Sequence, residues 1–401
     1  MKTHAIIPIF IPHEGCPHDC VFCNQKKITA REKAPNEAET EELIERHLAQ
    51  IQKNPNITEI EIAFYGGSFT GISMEQQAMY LALAKKYKDC GRIKRIHLST
   101  RPDYINEEIL DQLQYYSTDV VELGVQSFDE EVLRRSNRGH GREVIYRSAQ
   151  MIKERGMTLG IQLMVGLPGD SYEKCMESVR ETIKIGPAIA RIYPTVVLKE
   201  TALYEMFRQN KYRPLEEEQA VNTVKDMMRA LESAGIDIIR VGLKSSDNIT
   251  MNGGAVGAGT YHPAFRQLVE SVLAREELEA LLLRELKLAA VRLSAAAAFC
   301  CADFYVGCSR KESSMTNDIR VKKKYGQEKC AKAKNKNRAK CGRGGDGRLR
   351  ATFYAAPESF SNMIGLKRAN KLYFLEKYPE LNLKFAADDT LQRNKYRVSV
   401  E

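Results

Sequence analysis

The chain has 401 residues and a net charge of +9, with 43% hydrophobic and 28% charged residues. This balance is typical of globular domains and excludes collagen, a coiled coil and disorder throughout. The longest uninterrupted apolar stretch, residues 295–302, is far shorter than the roughly 20 residues of a membrane helix, and no signal peptide or membrane association is expected.

The first 245 residues alternate between strand patterns and helix patterns. Short apolar runs predict strands at 5–12, 59–66, 95–100, 119–127, 158–167, 189–197 and 236–243. Amphipathic runs predict helices between them, at 37–53, 73–88, 106–116, 141–155, 171–185, 201–209 and 215–234. Such alternation implies a parallel sheet. We therefore expect an α/β fold, a partial or full parallel βα barrel with its chemistry at the carboxyl ends of the strands.

The pattern changes after residue 270. Residues 275–293 predict one amphipathic helix, whereas the glycine-rich residues 252–263 before it predict either a substrate loop or a linker. The chain is therefore divided into a barrel domain at 1–270, a helical extension at 271–309, a basic low-complexity linker at 310–350 and a small α+β domain at 351–401.

Most of the positive charge lies in the basic linker. Residues 310–350 contain 15 Lys/Arg and 4 Asp/Glu, a net charge of +11, which leaves −2 for the rest of the chain. Such a segment can neutralise RNA phosphates, although a solvated linker would have the same composition.

The C-terminal domain has the predicted order β-α-α-β-β. Its turn Gly365–Arg368 lies between the two helices, as in KH-like units that clamp RNA with a G-x-x-G turn, but here the second glycine is Arg368. A small accessory domain without RNA binding is the alternative.

Three cysteines directly follow the first predicted strand. Cys16, Cys20 and Cys23 form a C-x3-C-x2-C motif, and three thiolates at this spacing can hold a [4Fe-4S] cluster with one iron left open. A zinc ion with His13 or His18 as fourth ligand is one alternative, and three incidental cysteines are another.

Seven further cysteines match no metal-binding pattern. We expect Cys90 and Cys175 to be buried structural thiols. A chain of this length with so few clustered cysteines is no disulfide scaffold, and a reducing compartment, the cytoplasm, is expected. The remaining cysteines lie at 300, 301, 308, 330 and 341.

The cysteine motif after the first strand resembles the signature of the radical S-adenosylmethionine (SAM) enzymes. The resemblance implies a barrel of the radical SAM type with Cys16, Cys20 and Cys23 as cluster ligands at the catalytic centre. It also implies that SAM binds the open iron and is cleaved to a 5′-deoxyadenosyl radical, with a flavodoxin or ferredoxin as electron donor. Phe22 would lie near the adenine of SAM.

The same resemblance implies cofactor contacts at the ends of three further strands. The second strand ends in a glycine pair that would meet the SAM amino group, and the fourth and fifth strands would meet ribose, carboxylate and adenine. Without a cofactor, these residues would be turn glycines and buried polar groups. The cofactor-binding residues implied are Tyr65, Gly66, Gly67, Ser68, Gln126, Ser127, Gly166 and Pro168.

Four motifs make the resemblance more particular. Residues 99–105, 121–127, 137–140 and 191–197 are similar to the radical SAM domain of the Elongator catalytic subunit (Elongator protein 3) family, which modifies carbon 5 of the wobble uridine in tRNA. Nothing after residue 270 resembles the acetyltransferase domain of that family, which makes acetyl-CoA a doubtful cofactor. The motifs contain Arg101, Asp103, Arg138 and His140, each of which could also form a strand-end or helix-cap salt bridge.

The hypothesis is a radical SAM enzyme that acts on RNA, specifically on a tRNA uridine, through the basic linker and the C-terminal domain. One alternative is a radical SAM enzyme that acts on a small molecule or a protein. A second is a metal-bearing RNA-binding protein without enzymatic activity.

Overall fold

A computed structural model describes residues 3–12, 20–24, 33–243, 254–309 and 348–401, without the side chains of 293 and 295–309. The chain divides into two compact units, Met1–Arg266 and Gln267–Glu401. In the described parts of the chain, no helix is both long enough and apolar enough to cross a membrane.

The larger unit contains an open parallel sheet. Its described strands are β1 His4–Ile11, β2 Glu59–Gly66, β3 Arg95–Thr100, β4 Val120–Gln126, β5 Thr158–Val165, β6 Ile189–Pro194, β7 Val196–Leu198, β8 Asp237–Val241 and β9 Val256–Gly259. Seven of them pair in parallel in the order β1-β2-β3-β4-β5-β6-β8. Because β1 and β8 each pair with one neighbour within the described residues, the predicted barrel is partial and not closed.

Helices connect these strands, and most of them begin at a polar capping side chain. They are α1 Glu37–Ile51, α2 Met74–Asp89, α3 Glu107–Tyr115, α4 Glu130–Arg135, α5 Arg142–Glu154, α6 Tyr172–Ile185, α7 Ala202–Arg208 and α8 Glu217–Ser233. Asn36, Asn106 and Ser171, for example, accept a hydrogen bond from a backbone N–H of the first turn of α1, α3 and α6. Such caps satisfy N–H groups that have no partner inside a helix, which fixes where each helix begins.

Alternation along β2 separates an apolar face from a polar one. The ring of Phe64 lies 4.9 Å from that of Phe69 and 5.8 Å from that of Tyr80 on α2. Successive side chains of a strand point to opposite faces. Glu61 and Tyr65 therefore face the interior of the partial barrel, where the candidate site is built.

The helix that spans the boundary between the units is longer than predicted. It is α9 Phe265–Ser309, whereas the sequence pattern predicted a helix only at 275–293. Four consecutive alanines at 295–298 favour continuation, since alanine has the highest helix propensity.

The smaller unit has the predicted β-α-α-β-β order after α9. Its elements are β10 Arg350–Ala355, α10 Phe360–Ile364, α11 Ala369–Lys377, β11 Asn382–Ala387 and β12 Tyr396–Val400. β10 lies in the middle of the sheet, parallel to β11 and antiparallel to β12. Phe353, Met363 and Phe374 pack with Leu278 and Leu282 of α9 in its core.

The basic linker lies outside the described residues from 310 to 347. The turn between α10 and α11 is described, and Gly365, Lys367 and Arg368 all have positive φ there. A KH-like role for this turn remains a prediction.

The glycine-rich stretch is in part a strand. β9 pairs antiparallel with β7, and Val197 lies opposite Ala258. This pairing differs from the free loop or linker that the composition predicted. The residues from 244 to 253 lie outside the described part.

Candidate metal centre and cofactor site

The cysteine motif follows β1 at the carboxyl edge of the sheet. Cys20 and Cys23 share one tight turn, because the Cys23 N–H donates to the Cys20 carbonyl at 2.9 Å. Two backbone hydrogen bonds hold Val21. Its N–H donates to the Ser136 carbonyl, and its carbonyl accepts from the Leu203 N–H. Cys16, the third predicted ligand, lies outside the described residues, as do His13 and His18.

The sulfur of Cys20 lies against two guanidinium groups. Nη1 of Arg138 is 3.2 Å and Nη1 of Arg101 is 3.5 Å from Sγ. All three residues are buried. Two cationic hydrogen-bond donors therefore face this sulfur. Iron–sulfur clusters and zinc ions are held by cysteine sulfurs that are anionic when the metal is bound, and this arrangement of donors fits such a ligand.

A carboxylate and a neutral imidazole complete this charged cluster. Asp103 accepts two hydrogen bonds from Arg101, at 2.9 and 2.8 Å. Burial would raise the pKa of Asp103, but the Arg101 guanidinium lowers it below its usual value. Burial, followed by the charge of Arg138, lowers the pKa of His140 to about 4, so His140 is neutral at neutral pH. Of the four motif residues, Arg101 and Arg138 thus contact the Cys20 sulfur, Asp103 pairs with Arg101, and His140 interacts electrostatically with these three.

The glycine pair after β2 packs against the end of β1. Gly66 has a φ of +121°, and a Cβ at this position would lie 2.3 Å from the Ile11 carbonyl oxygen. The N–H of Gly67 donates to the same carbonyl at 3.0 Å. Only glycine fits this backbone approach. The contact with β1 accounts for Gly66, and a cofactor contact of this turn stays a prediction.

Ser68 is turned into the protein. Its hydroxyl lies 2.7 Å from that of Thr100 and accepts a hydrogen bond from the Arg101 N–H at 3.2 Å. Ser68 therefore ties the β2 turn to the end of β3, next to the guanidinium group that contacts Cys20.

The end of β4 is irregular. The register with β5 shifts between Gly124 and Gln126, and Gln126 has a φ of +71°. A non-glycine residue in this region is strained by about 1–3 kcal/mol, and such strain concentrates at functional sites. Ser127, in contrast, has a structural contact, since its hydroxyl accepts from the Asp129 N–H at 3.1 Å.

Phe22 and the β5 turn meet around Tyr212. Phe22 packs in an apolar cluster that contains Tyr212 and Leu203. The Tyr212 hydroxyl donates to the Gly166 carbonyl at 2.6 Å, and Pro168 is buried in the same turn. The structure thus brings Phe22 close to the β5 turn, and a cofactor contact of either stays a prediction.

A layer of charged side chains inside the partial barrel was not predicted. Oε1 of Glu122 lies 2.5 Å from Nε2 of His97 and 2.6 Å from Nη2 of Arg191. Nδ1 of His97 lies 3.3 Å from Oε1 of Glu61. Nη2 of Arg191 donates at 2.6 Å to the hydroxyl of Tyr65, which joins this layer to the β2 turn.

The charges in this layer support one another. Burial would lower the pKa of His97, but the carboxylates of Glu122 and Glu61 raise it above its usual value of 6.5. Burial would raise the pKa of Glu122, and His97 and Arg191 lower it instead. Glu122 and Arg191 lie in the motifs at 121–127 and 191–197. Charged residues within otherwise apolar strands were the sequence signal that could have predicted a polar interior.

One further prediction was wrong. Cys90 is exposed at the end of α2, whereas Cys175 is buried as expected. Cys90 follows the last helical residue, where the chain turns towards β3 at the surface.

Comparison with known proteins places the chain in a family. The profile of the Radical SAM superfamily matches residues 10–182, and that of the Radical_SAM C-terminal domain matches residues 187–275. A tRNA uridine(34) acetyltransferase from Methanocaldococcus jannaschii is 29% identical over 55% of this chain and 48% of its own length. An uncharacterised protein from the same archaeon is 30% identical over 54% of this chain and 69% of its own length.

A solved structure shares the fold. It is the Elongator protein 3 of Methanocaldococcus infernus with an N-terminal deletion, at a TM-score of 0.55 and 22% identity over 69% of this chain and 64% of that chain. The chain spans about half the length of the tRNA uridine(34) acetyltransferases that it matches. On the two matching profiles and the shared fold, this chain belongs to the radical SAM superfamily.

Proposed function

We propose that this chain binds a [4Fe-4S] cluster through Cys16, Cys20 and Cys23 and cleaves SAM reductively in order to modify a uridine in tRNA. The observation that carries the proposal is the Cys20 sulfur, buried between the guanidinium groups of Arg101 and Arg138. A bound cluster would supply one electron for the cleavage of SAM to methionine and a 5′-deoxyadenosyl radical.

The protein residues hold, orient and shield these groups. The turn of Cys20 and Cys23 presents two of the three ligand sulfurs. The β2 turn at Gly66 and Gly67 is held against the end of β1 by the Gly67 N–H, which donates to the Ile11 carbonyl. The strained Gln126 and the turn at Gly166 border the same edge of the sheet. Phe22 packs against the apolar side chains around Tyr212 and would exclude water from one side of the cofactor site.

The tRNA substrate is supported by similarity and by charge. The relative named above is a tRNA uridine(34) acetyltransferase, and residues 310–350 carry a net charge of +11. Because the match spans about half of that relative, acetyl transfer is not part of the proposal. A cytoplasmic location and a flavodoxin or ferredoxin as electron donor accompany it.

Product analysis tests the radical chemistry. The full chain is reconstituted with iron and sulfide without oxygen and treated with dithionite and SAM. The expected product is 5′-deoxyadenosine, and Cys20→Ala should abolish it, whereas Cys90→Ala should not. A chain with four iron and four sulfide ions that forms no 5′-deoxyadenosine would contradict the proposal.

The substrate needs its own experiment. Modified tRNA nucleosides are compared by mass spectrometry in cells with the chain, without it and with Cys20→Ala. We expect a uridine modification that depends on the chain and on Cys20, and salt-dependent tRNA binding. Unchanged nucleosides and no stimulation of SAM cleavage by tRNA would indicate a small-molecule or protein substrate instead. One zinc ion and no sulfide would indicate a metal-bearing binding protein.

A further inference from the structure

The two arginines at Cys20 differ in their charge balance. Arg101 is neutralised by Asp103 through two hydrogen bonds at 2.9 and 2.8 Å. Arg138 is 4% exposed, and within the described residues it forms no ion pair with a carboxylate. Its guanidinium group donates to the Gly124 carbonyl and to the Cys20 sulfur, and its Nε is buried without a hydrogen bond to a described residue.

A buried cation without a counter-ion is costly, by several kcal/mol even after relaxation of the protein. Buried charges are therefore paired in stable proteins. Within the described residues, Nη1 of Arg138 lies 3.2 Å from the Cys20 sulfur. The geometry thus places the positive charge of Arg138 against this sulfur, and an anionic metal centre bound there would compensate it.

The backbone holds Arg138 in place. The register shift after Gly124 leaves a carbonyl that accepts from Nη2 of Arg138. The Arg138 N–H donates to the Leu133 carbonyl at 3.0 Å, and its own carbonyl accepts from Nη2 of Arg101. The Gly124 carbonyl therefore holds the guanidinium group, and two further hydrogen bonds hold the backbone from which it extends.

We propose that Arg101 and Arg138 act as positioning residues that raise the reduction potential of the cluster through hydrogen bonds to the Cys20 sulfur. This inference rests on the proposed function, since it requires an iron–sulfur cluster at Cys20. Hydrogen bonds to the sulfurs and local charge set the potentials of such clusters. The reduced cluster has one more negative charge, so cationic donors stabilise it over the oxidised one.

The chemistry concerned is the uptake of one electron by the cluster, with no bond formed or broken. The donor is a one-electron reductant, dithionite in the assay. Arg138 contributes a net positive charge, whereas the charge of Arg101 is offset by Asp103. Removal of Arg138 should therefore lower the potential, and removal of the Asp103 charge should raise it.

Redox titration of the reconstituted full chain, followed by electron paramagnetic resonance, measures these shifts. The variants are Arg138→Met, Arg138→Lys and Asp103→Asn, and iron and sulfide are counted in each. We expect a more negative midpoint in Arg138→Met, a smaller shift in Arg138→Lys and a more positive midpoint in Asp103→Asn. The exposed Arg134 is the matched control, and Arg134→Met should keep the midpoint of the parent.

Opposite signs separate an electrostatic effect from a distorted site. If Arg138→Met and Asp103→Asn shift the midpoint in the same direction, or if neither differs from Arg134→Met, the inference is wrong. Should Arg138→Met hold no cluster, the signs in Arg138→Lys and Asp103→Asn decide. A parent chain without a cluster would contradict the proposed function itself, whereas unchanged midpoints in cluster-bearing, SAM-cleaving variants would contradict only this inference.

Discussion

Replacement of Glu122 by glutamine removes one charge from the interior of the partial barrel without changing its volume. Glu122 is fully buried and ion-paired with His97 and Arg191. Loss of one partner of a buried pair costs about 3–5 kcal/mol, because the other charge stays buried without compensation. We expect Glu122→Gln to destabilise the larger unit by this amount, or by about 10 °C in its unfolding midpoint.

The cost should depend on pH because His97 titrates. The carboxylates raise the pKa of His97, so its stabilising charge is fully present below its usual value of 6.5 and is lost as the pH rises through the folded value. The groups that face it are Glu61, Glu122 and, by its ring, Tyr65. The destabilisation in Glu122→Gln should therefore be largest at pH 6.5 and just below it and decrease at higher pH, without vanishing, because Arg191 remains charged.

The chain has no tryptophan, so urea unfolding is followed by far-ultraviolet circular dichroism, and hydrogen exchange of β3 and β4 peptides assigns the transition. Glu59→Gln is the matched control, since the Glu59 side chain is 41% exposed and its ion pair with Lys94 spans 3.4 Å. Exposed pairs contribute up to about 1 kcal/mol. A Glu122→Gln variant as stable as Glu59→Gln, or a cost that grows with pH, would refute the reasoning.

Two further predictions concern glycine and cysteine positions. Gly66→Ala should cost more than about 3 kcal/mol of unfolding free energy, because backbone strain adds to a contact of 2.3 Å between the new Cβ and the Ile11 carbonyl oxygen. Gly91 has open space around it, and Gly91→Ala should cost about 1 kcal/mol in the same urea titration. Iodoacetamide at pH 8 should alkylate the exposed Cys90 rapidly and the buried Cys175 only slowly, as measured by mass spectrometry. The reason is that burial and the nearby Asp170 raise the pKa of the Cys175 thiol. Equal rates would contradict this prediction.

Strands and helices of the larger unit followed from the sequence because their signals are local. Apolar strands alternate with amphipathic helices, and that order alone implies a parallel sheet. The short pair β7 and β9 was missed, because glycines in Val256–Gly259 weaken the strand pattern and its partner lies far away in the chain. Contacts between distant segments leave no periodic signal.

The sequence predicted residues for the candidate site, and their role stays a prediction, but it did not predict the contacts among them. The spacing of Cys20 and Cys23 and the motif around Arg101 indicated a cofactor site. That Arg101 and Arg138 both contact one sulfur follows from the crossing of three loops, which no spacing reveals. The hydroxyl of Ser127 likewise accepts a hydrogen bond from the Asp129 N–H, a contact that the motif did not indicate, and its predicted cofactor contact stays a prediction.

The polar layer and the metal centre are linked through strand register. On β3, His97 and Ser99 face the interior, and Arg101 follows at the strand end with the same alternation. On β4, Glu122 lies opposite Ser99. On β5, Gly160 makes room for it, since a Cβ there would lie 2.7 Å from Cγ of Glu122.

A slip of one residue would turn His97 and Glu122 towards the helices and carry Arg101 away from Cys20. Apolar strands that are buried on both faces tolerate such slips more readily than strands with inward charges, because an unpaired buried charge is costly. The ion pairs of the interior therefore disfavour the registers in which the guanidinium groups would miss the cysteine sulfur. We infer that the main effect of the charged layer is to select the strand register that assembles the metal centre, and that its net contribution to stability is the smaller effect.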